Sequence, residues 1–127
     1  MEKIIEQIRK LEFQLLVRRP DGKAELASPS VLSEVIVKIA ILLSQLTDWQ
    51  TNFELDYKNN KAKMLDDLLK EGVAITPALN KIDLDKKMIE LKTSLKRIEN
   101  HIDRTESLIM TVQSHIKLKG IEAQNNL

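Results

Sequence analysis

Histidine, carboxylate and lysine side chains are the groups in this chain whose chemistry could carry a function. The two histidines, His101 and His115, both flank an apolar stripe. About 21 Å of helix separates them, so they cannot share a metal within one chain. Glu99 and Asp103 lie near His101, but a ligand set would need side chains from other helices. Surface or interface histidines are the expectation.

Carboxylates gather at Asp66, Asp67, Glu71, Asp83 and Asp85. Paired catalytic acids need burial to split their pKa values. These lie on expected exposed faces among lysines, which reads as a solvated, salt-bridged surface. No Walker loop, GxGxxG or GxSxG occurs. No catalytic site, metal or cofactor is expected, and the protein reads as non-enzymatic.

The lysines are more suggestive. Lys58, Lys61 and Lys63 follow Tyr57, and Lys86, Lys87 and Lys92 come later. If the chain folds back near residues 73–75, the two groups form one cationic band with Tyr57 available to stack. Lysines that track phosphates beside an aromatic ring are what single-strand binders use. Asp56, Asp85 and Glu90 dilute the band, and an ordinary charged surface is the competing reading. Arg18, Arg19 and Lys23 form a second cationic cluster in a turn.

The elements that position these groups are long helices. Apolar residues return in alternating steps of four and three at Leu84, Met88, Leu91, Leu95, Ile98, Ile102, Ile109, Val112 and Ile116, interrupted only by Thr105. A second seam runs through Leu32, Val35, Ile39, Leu42, Leu46, Trp49 and Phe53. Such stripes are what helices need to pack lengthwise. Trp49 falls on its seam and is expected to anchor a core or an interface. After Phe53 the register slips to Tyr57, Met64, Leu65, Leu68 and Leu69, a stutter with a polar stretch from Asp56 to Lys63.

Glycines and prolines mark the boundaries. Helices are expected over about residues 2–17, 29–71 and 77–119, with a frayed tail over 120–127. Ile4, Ile5, Ile8, Leu11 and Leu15 share the inner face of the first. Residues 18–22 form a turn. Ser28-Pro29 and Thr76-Pro77 read as cap-plus-proline starts, Gly72 and Gly120 as stops, and Asp83 or Asp85 as a re-cap after a small kink. The fold class is therefore all-α: a short N-terminal helix plus a long antiparallel helical hairpin, in a single domain over 1–127. Its wide stripes exceed what one chain can cover. A homo-oligomer is expected, with a dimeric four-helix or trimeric six-helix core.

Composition excludes other classes. Apolar residues make up 43% of the chain, too many for disorder. Aromatics are only 3%, which favours aliphatic helix-on-helix packing. The net charge of +1 drives no global attraction to nucleic acid or membrane. Cysteine is absent, which excludes disulfides. The N-terminus lacks an apolar signal segment. The uncharged run from Ile39 to Thr47 is too short to span a bilayer. No membrane association and a cytoplasmic location are expected.

The chain resembles small helical proteins of bacteriophages and prophages, often encoded beside single-strand-annealing recombinases and single-strand DNA-binding proteins. The resemblance covers about Ser30 to Lys119. It rests on Val31-Leu32-Ser33-Glu34 and the aliphatic run after it, and on Tyr57-Lys58 with Lys61-Ala62-Lys63. It also rests on Gly72 through Thr76-Pro77-Ala78, and on Thr105-Glu106-Ser107-Leu108-Ile109 through Val112-Gln113-Ser114-His115-Ile116-Lys117. It implies an accessory binding protein of phage DNA recombination or replication, with single-stranded DNA or a host or phage protein as partner. Its alternatives are an anti-defence protein, which sequesters a nucleotide signal or blocks a host effector, and a structural coiled coil of virion assembly.

Overall fold

The computed structural model describes residues 1–125, and 83% of it is helical, so the protein is all-α. Helix α1 spans Glu2–Phe13 and buries Ile5 and Ile8, with Ile4 and Leu11 half-buried beside them. The expected continuation to Val17 does not occur. Gln14 and Leu15 donate to Leu11 and Glu12 carbonyls in tight i,i+3 turns. The chain then becomes extended over β1, Leu16–Arg18.

A hairpin replaces the end of that helix. Pro20 disfavours helical geometry at Arg19 and is well suited to the first corner of a tight turn. Gly22 takes φ +83°, and its N–H donates to the Arg19 carbonyl at 2.9 Å. The Asp21 carboxylate accepts the Lys23 N–H at 3.0 Å. The strand β2, Ala24–Leu26, returns antiparallel to β1. This is a three-residue hairpin loop closed by a left-handed glycine.

Helix α2, Pro29–Lys70, starts as expected: the Ser28 hydroxyl accepts the Val31 N–H at 3.4 Å. It ends in a Schellman motif. Val73 donates to the Leu68 carbonyl and Gly72, at φ +88°, donates to Leu69. Helix α3, Ile75–Leu84, begins two residues earlier than the proline suggests, with Ala74 at its cap. Pro77 still fits, because the third helical N–H has no partner within the helix.

Asp85 separates α3 from α4, Lys86–Asn125. Its backbone is extended (ψ 130°) and its carboxylate accepts the Met88 N–H at 3.1 Å. The kink is thus a full break. It leaves Leu84 at the end of α3, 79% exposed, so this residue does not open the α4 seam. At the other end Gly120 does not stop α4. Glycine costs a helix interior about 1 kcal/mol relative to alanine and ends it only by turning left-handed, and Gly120 lacks a positive φ. Helix continues to Asn125, and the expected frayed tail beyond it lies outside the described residues.

The chain divides into two compact units. The first contains residues up to Thr47 and those from His101 onward. Its core holds Leu32, Val35, Ile39 and Leu46 of α2 with Ile102, Thr105 and Val112 of α4. Leu15 and Ala27 are buried at the hairpin base. Thr105 fits because its hydroxyl donates to the His101 carbonyl at 2.7 Å. The second unit, Asp48–Asn100, buries Ala78, Ile82, Met88 and Ile98. Its α2 segment is only half-buried, at Phe53, Tyr57, Met64, Leu65 and Leu68. Leu69, counted with that slipped stripe, is 41% exposed.

Trp49 leaves the seam. It is 41% exposed and lies against Phe53, with ring centroids 6.0 Å apart. At 100° per residue it sits roughly 80° around the helix from Ile39, so a strict heptad position drifts off the buried stripe. Gln50 is half-buried in its place. Leu42, Leu91, Leu95, Ile109 and Ile116 are half-buried, in keeping with their seam positions.

Much of the apolar surface of α2 stays uncovered: Val37 is 60% and Ile41 56% exposed. A window of this helix reaches mean hydropathy 1.6, with 28% of it buried. By length and composition it could cross a bilayer, although a core helix passes the same test. Glu34 and Lys38 break the uncharged run and pair with each other at 3.5 Å.

Candidate functional site

The second unit brings Tyr57, Lys61 and Lys92 together. Tyr57 and Lys61 are one helical turn apart on α2, a spacing that stacks side chains on one face. Lys92 arrives from α4. The Lys61 ammonium lies 6.0 Å from the Tyr57 ring centroid and the Lys92 ammonium 5.8 Å. These distances sit at the outer range of a cation–π contact, worth about 0.5–1 kcal/mol at partly exposed sites. Tyr57 and Lys61 are half-buried and Lys92 is exposed.

The Asn60 amide donates to the Asp56 backbone carbonyl at 2.7 Å, which holds the Asn60 side chain along the helix. Asp83 approaches Lys92 at 3.8 Å and leaves it exposed. The stutter is therefore a placement of polar groups on a continuous helix.

The other lysines of the expected band are distributed differently. Lys58, Lys63, Lys86 and Lys87 are exposed. Among the described residues none of them makes an ion pair or a ring contact. Lys86 and Lys87 occupy the first turn of α4, where the helix dipole disfavours cations. The Asp85 carboxylate offsets this by capping the same end. The tyrosine ring is also less open than expected, because a stacking base must compete with two ammonium groups.

Three of the five carboxylates near the hairpin turn have structural partners. Asp66 pairs with Lys70 at 2.9 Å, Asp83 with Lys92, and Asp85 is a cap. Among the described residues no group of three or more ligating side chains could hold a metal ion.

The first unit contains polar clusters that periodicity does not reveal. Arg104 of α4 reaches Glu12 of α1 at 3.4 Å. Arg9, His101 and Thr105 join them around a cavity of about 10 Å³, the size of one water. His115 lines a separate cavity with Lys119 and the β2 strand. In the turn cluster, Arg19 lies 3.9 Å from both Asp21 and Glu25. Sequence signals are weak for the Arg104–Glu12 and His115 clusters, since each joins side chains distant in the chain.

No family model, curated protein or solved structure matches this chain.

Proposed function

We propose that the protein is a non-enzymatic, phage-type accessory protein that binds single-stranded DNA during recombination or replication. The observation that carries this reading is the meeting of Lys61 and Lys92 on Tyr57. Lys58, Lys63, Lys86 and Lys87 stand exposed on the same segments of α2 and α4. Two ammonium groups held by one ring favour phosphates at a fixed spacing. The ring orders the lysines, and the phosphates supply the affinity.

Fluorescence anisotropy with a labelled oligothymidylate tests this. Binding should weaken with salt, at a log–log slope of about −0.7 for each phosphate contacted. The double variant Lys61→Glu/Lys92→Glu should lose retention without a change in oligomer size. Unchanged retention would remove the site.

A second reading is self-association through the outward face of α2. The exposure of Val37 and Ile41 supports it, because contiguous apolar surface of this kind marks protein contacts. Sedimentation velocity tests it: Val37→Glu/Ile41→Glu should yield a smaller species than the parent protein.

A further inference from the structure

The hairpin of the first unit carries a surface that the DNA reading does not use. Its strands pair Leu16 with Leu26, Val17 with Glu25 and Arg18 with Ala24. The register continues at both ends. Ala27 N–H donates to the Leu15 carbonyl at 2.8 Å, and Arg19 N–H donates to the Lys23 carbonyl at 2.8 Å. In an antiparallel ladder, bonded and non-bonded pairs alternate. The Leu15–Ala27 and Arg19–Lys23 pairs are bonded, so Val17–Glu25 is also, and the other two pairs are not. The N–H and C=O groups of Ala24 and Leu26 therefore point away from β1, along the outer edge of β2.

That edge borders an open cavity of about 480 Å³. Glu25, Leu26, Ala27, Ser28 and Pro29 line it from the hairpin side, and His115 and Lys119 from α4. The volume suits several side chains. Its apolar part comes from Leu26, Ala27 and Pro29. Its cationic wall carries Lys119, which Glu122 steadies at 3.4 Å. At the other end of the edge, Lys23 is exposed and makes no ion pair among the described residues. Glu25 is engaged by Arg19 at 3.9 Å.

From the outward backbone groups, the adjoining cavity and the basic groups at both ends, we infer that β2 receives an extended acidic peptide of a protein partner as a third strand. Main-chain hydrogen bonds to Ala24 and Leu26 supply the register, and alternate side chains supply the selectivity. A central aliphatic residue of the peptide enters the cavity, and its acidic flanks face Lys119 and His115 at one end and Lys23 at the other. A two-stranded ribbon is marginal alone, so a third strand also stabilises the hairpin.

Nitrogen-15 NMR of the full chain tests this, with the acetylated peptide Glu-Asp-Ile-Val-Ile-Asp-Glu as probe. Titration should shift the Ala24 and Leu26 amides and slow their exchange with solvent. The same peptide with lysines replacing its acids should bind roughly tenfold more weakly or less. Lys119→Glu, on an exposed helix face, should weaken the acidic peptide and strengthen the basic one. Leu26→Pro should abolish binding, since it removes a donor that the hairpin does not use. Shifts scattered away from β2, or none at millimolar peptide, would overturn the inference. Amide protection that grows with protein concentration alone would replace it with pairing between two copies. Oligothymidylate binding should be unaffected by Lys119→Glu, so the two readings fail separately.

Discussion

The Lys92 ammonium of α4 lies 5.8 Å from the centroid of the Tyr57 ring on α2, while Asp83 holds the same lysine at 3.8 Å. The ring and the carboxylate together restrict a long, flexible cation. Ordering such a side chain in advance removes part of the entropy that a phosphate contact would otherwise cost. Tyr57→Phe keeps the ring face and should preserve oligothymidylate affinity. Tyr57→Leu should weaken it by roughly threefold to tenfold, with a smaller change in salt slope than Lys92→Glu causes. Equal losses for the phenylalanine and leucine variants would show that the hydroxyl, not the ring, matters.

Asp85 holds the start of α4 through its bond to the Met88 N–H. Asp85→Ala should destabilise the protein by about 1 kcal/mol in urea unfolding, and Asp85→Asn should recover most of that. A silent alanine variant would mean that Lys86 and Lys87 do not load this helix end as their positions suggest.

The three glycines should respond differently to alanine. Gly22 and Gly72 have φ of +83° and +88°, where a side chain is strained even in open space. Each alanine variant should lose about 1 kcal/mol. Gly120 lies inside α4 with nothing near its would-be Cβ. Gly120→Ala should raise stability by about 0.5–1 kcal/mol. Thermal melts of the three single variants read the contrast, and a destabilising Gly120→Ala would place the end of α4 at that residue.

Thr105 is 3% exposed on an aliphatic stripe and spends its hydroxyl on the His101 carbonyl of its own helix. That carbonyl is an α-helical acceptor already, so Thr105→Val should change stability by less than about 1 kcal/mol. Ile39→Ala, at a fully packed position, should cost about 2–5 kcal/mol. A large loss for Thr105→Val would assign the hydroxyl a tertiary role.

Local chemistry made much of this molecule legible from residues alone. Ser28-Pro29 opens α2 and Gly72 closes it because capping and left-handed turns are decided within a few residues. The α4 stripe from Met88 to Ile116 is buried or half-buried throughout because its period matches a helix face. The Pro20-Asp21-Gly22 hairpin was also readable. Apolar residues at 15–17 and at 24, 26 and 27 flank a turn sequence, yet the apolar face of α1 suggested a longer helix. Other features needed the tertiary structure. Trp49 and Leu84 satisfy the heptad arithmetic and are exposed, because the drift of a straight helix and the break at Asp85 rotate them outward. The joining of Lys92 to Tyr57, of Arg104 to Glu12 and of His115 to the β2 cavity was likewise set by packing. A helical pattern specifies which face turns inward. It does not specify which level of one element meets which level of another, because that depends on contacts between residues far apart in the chain.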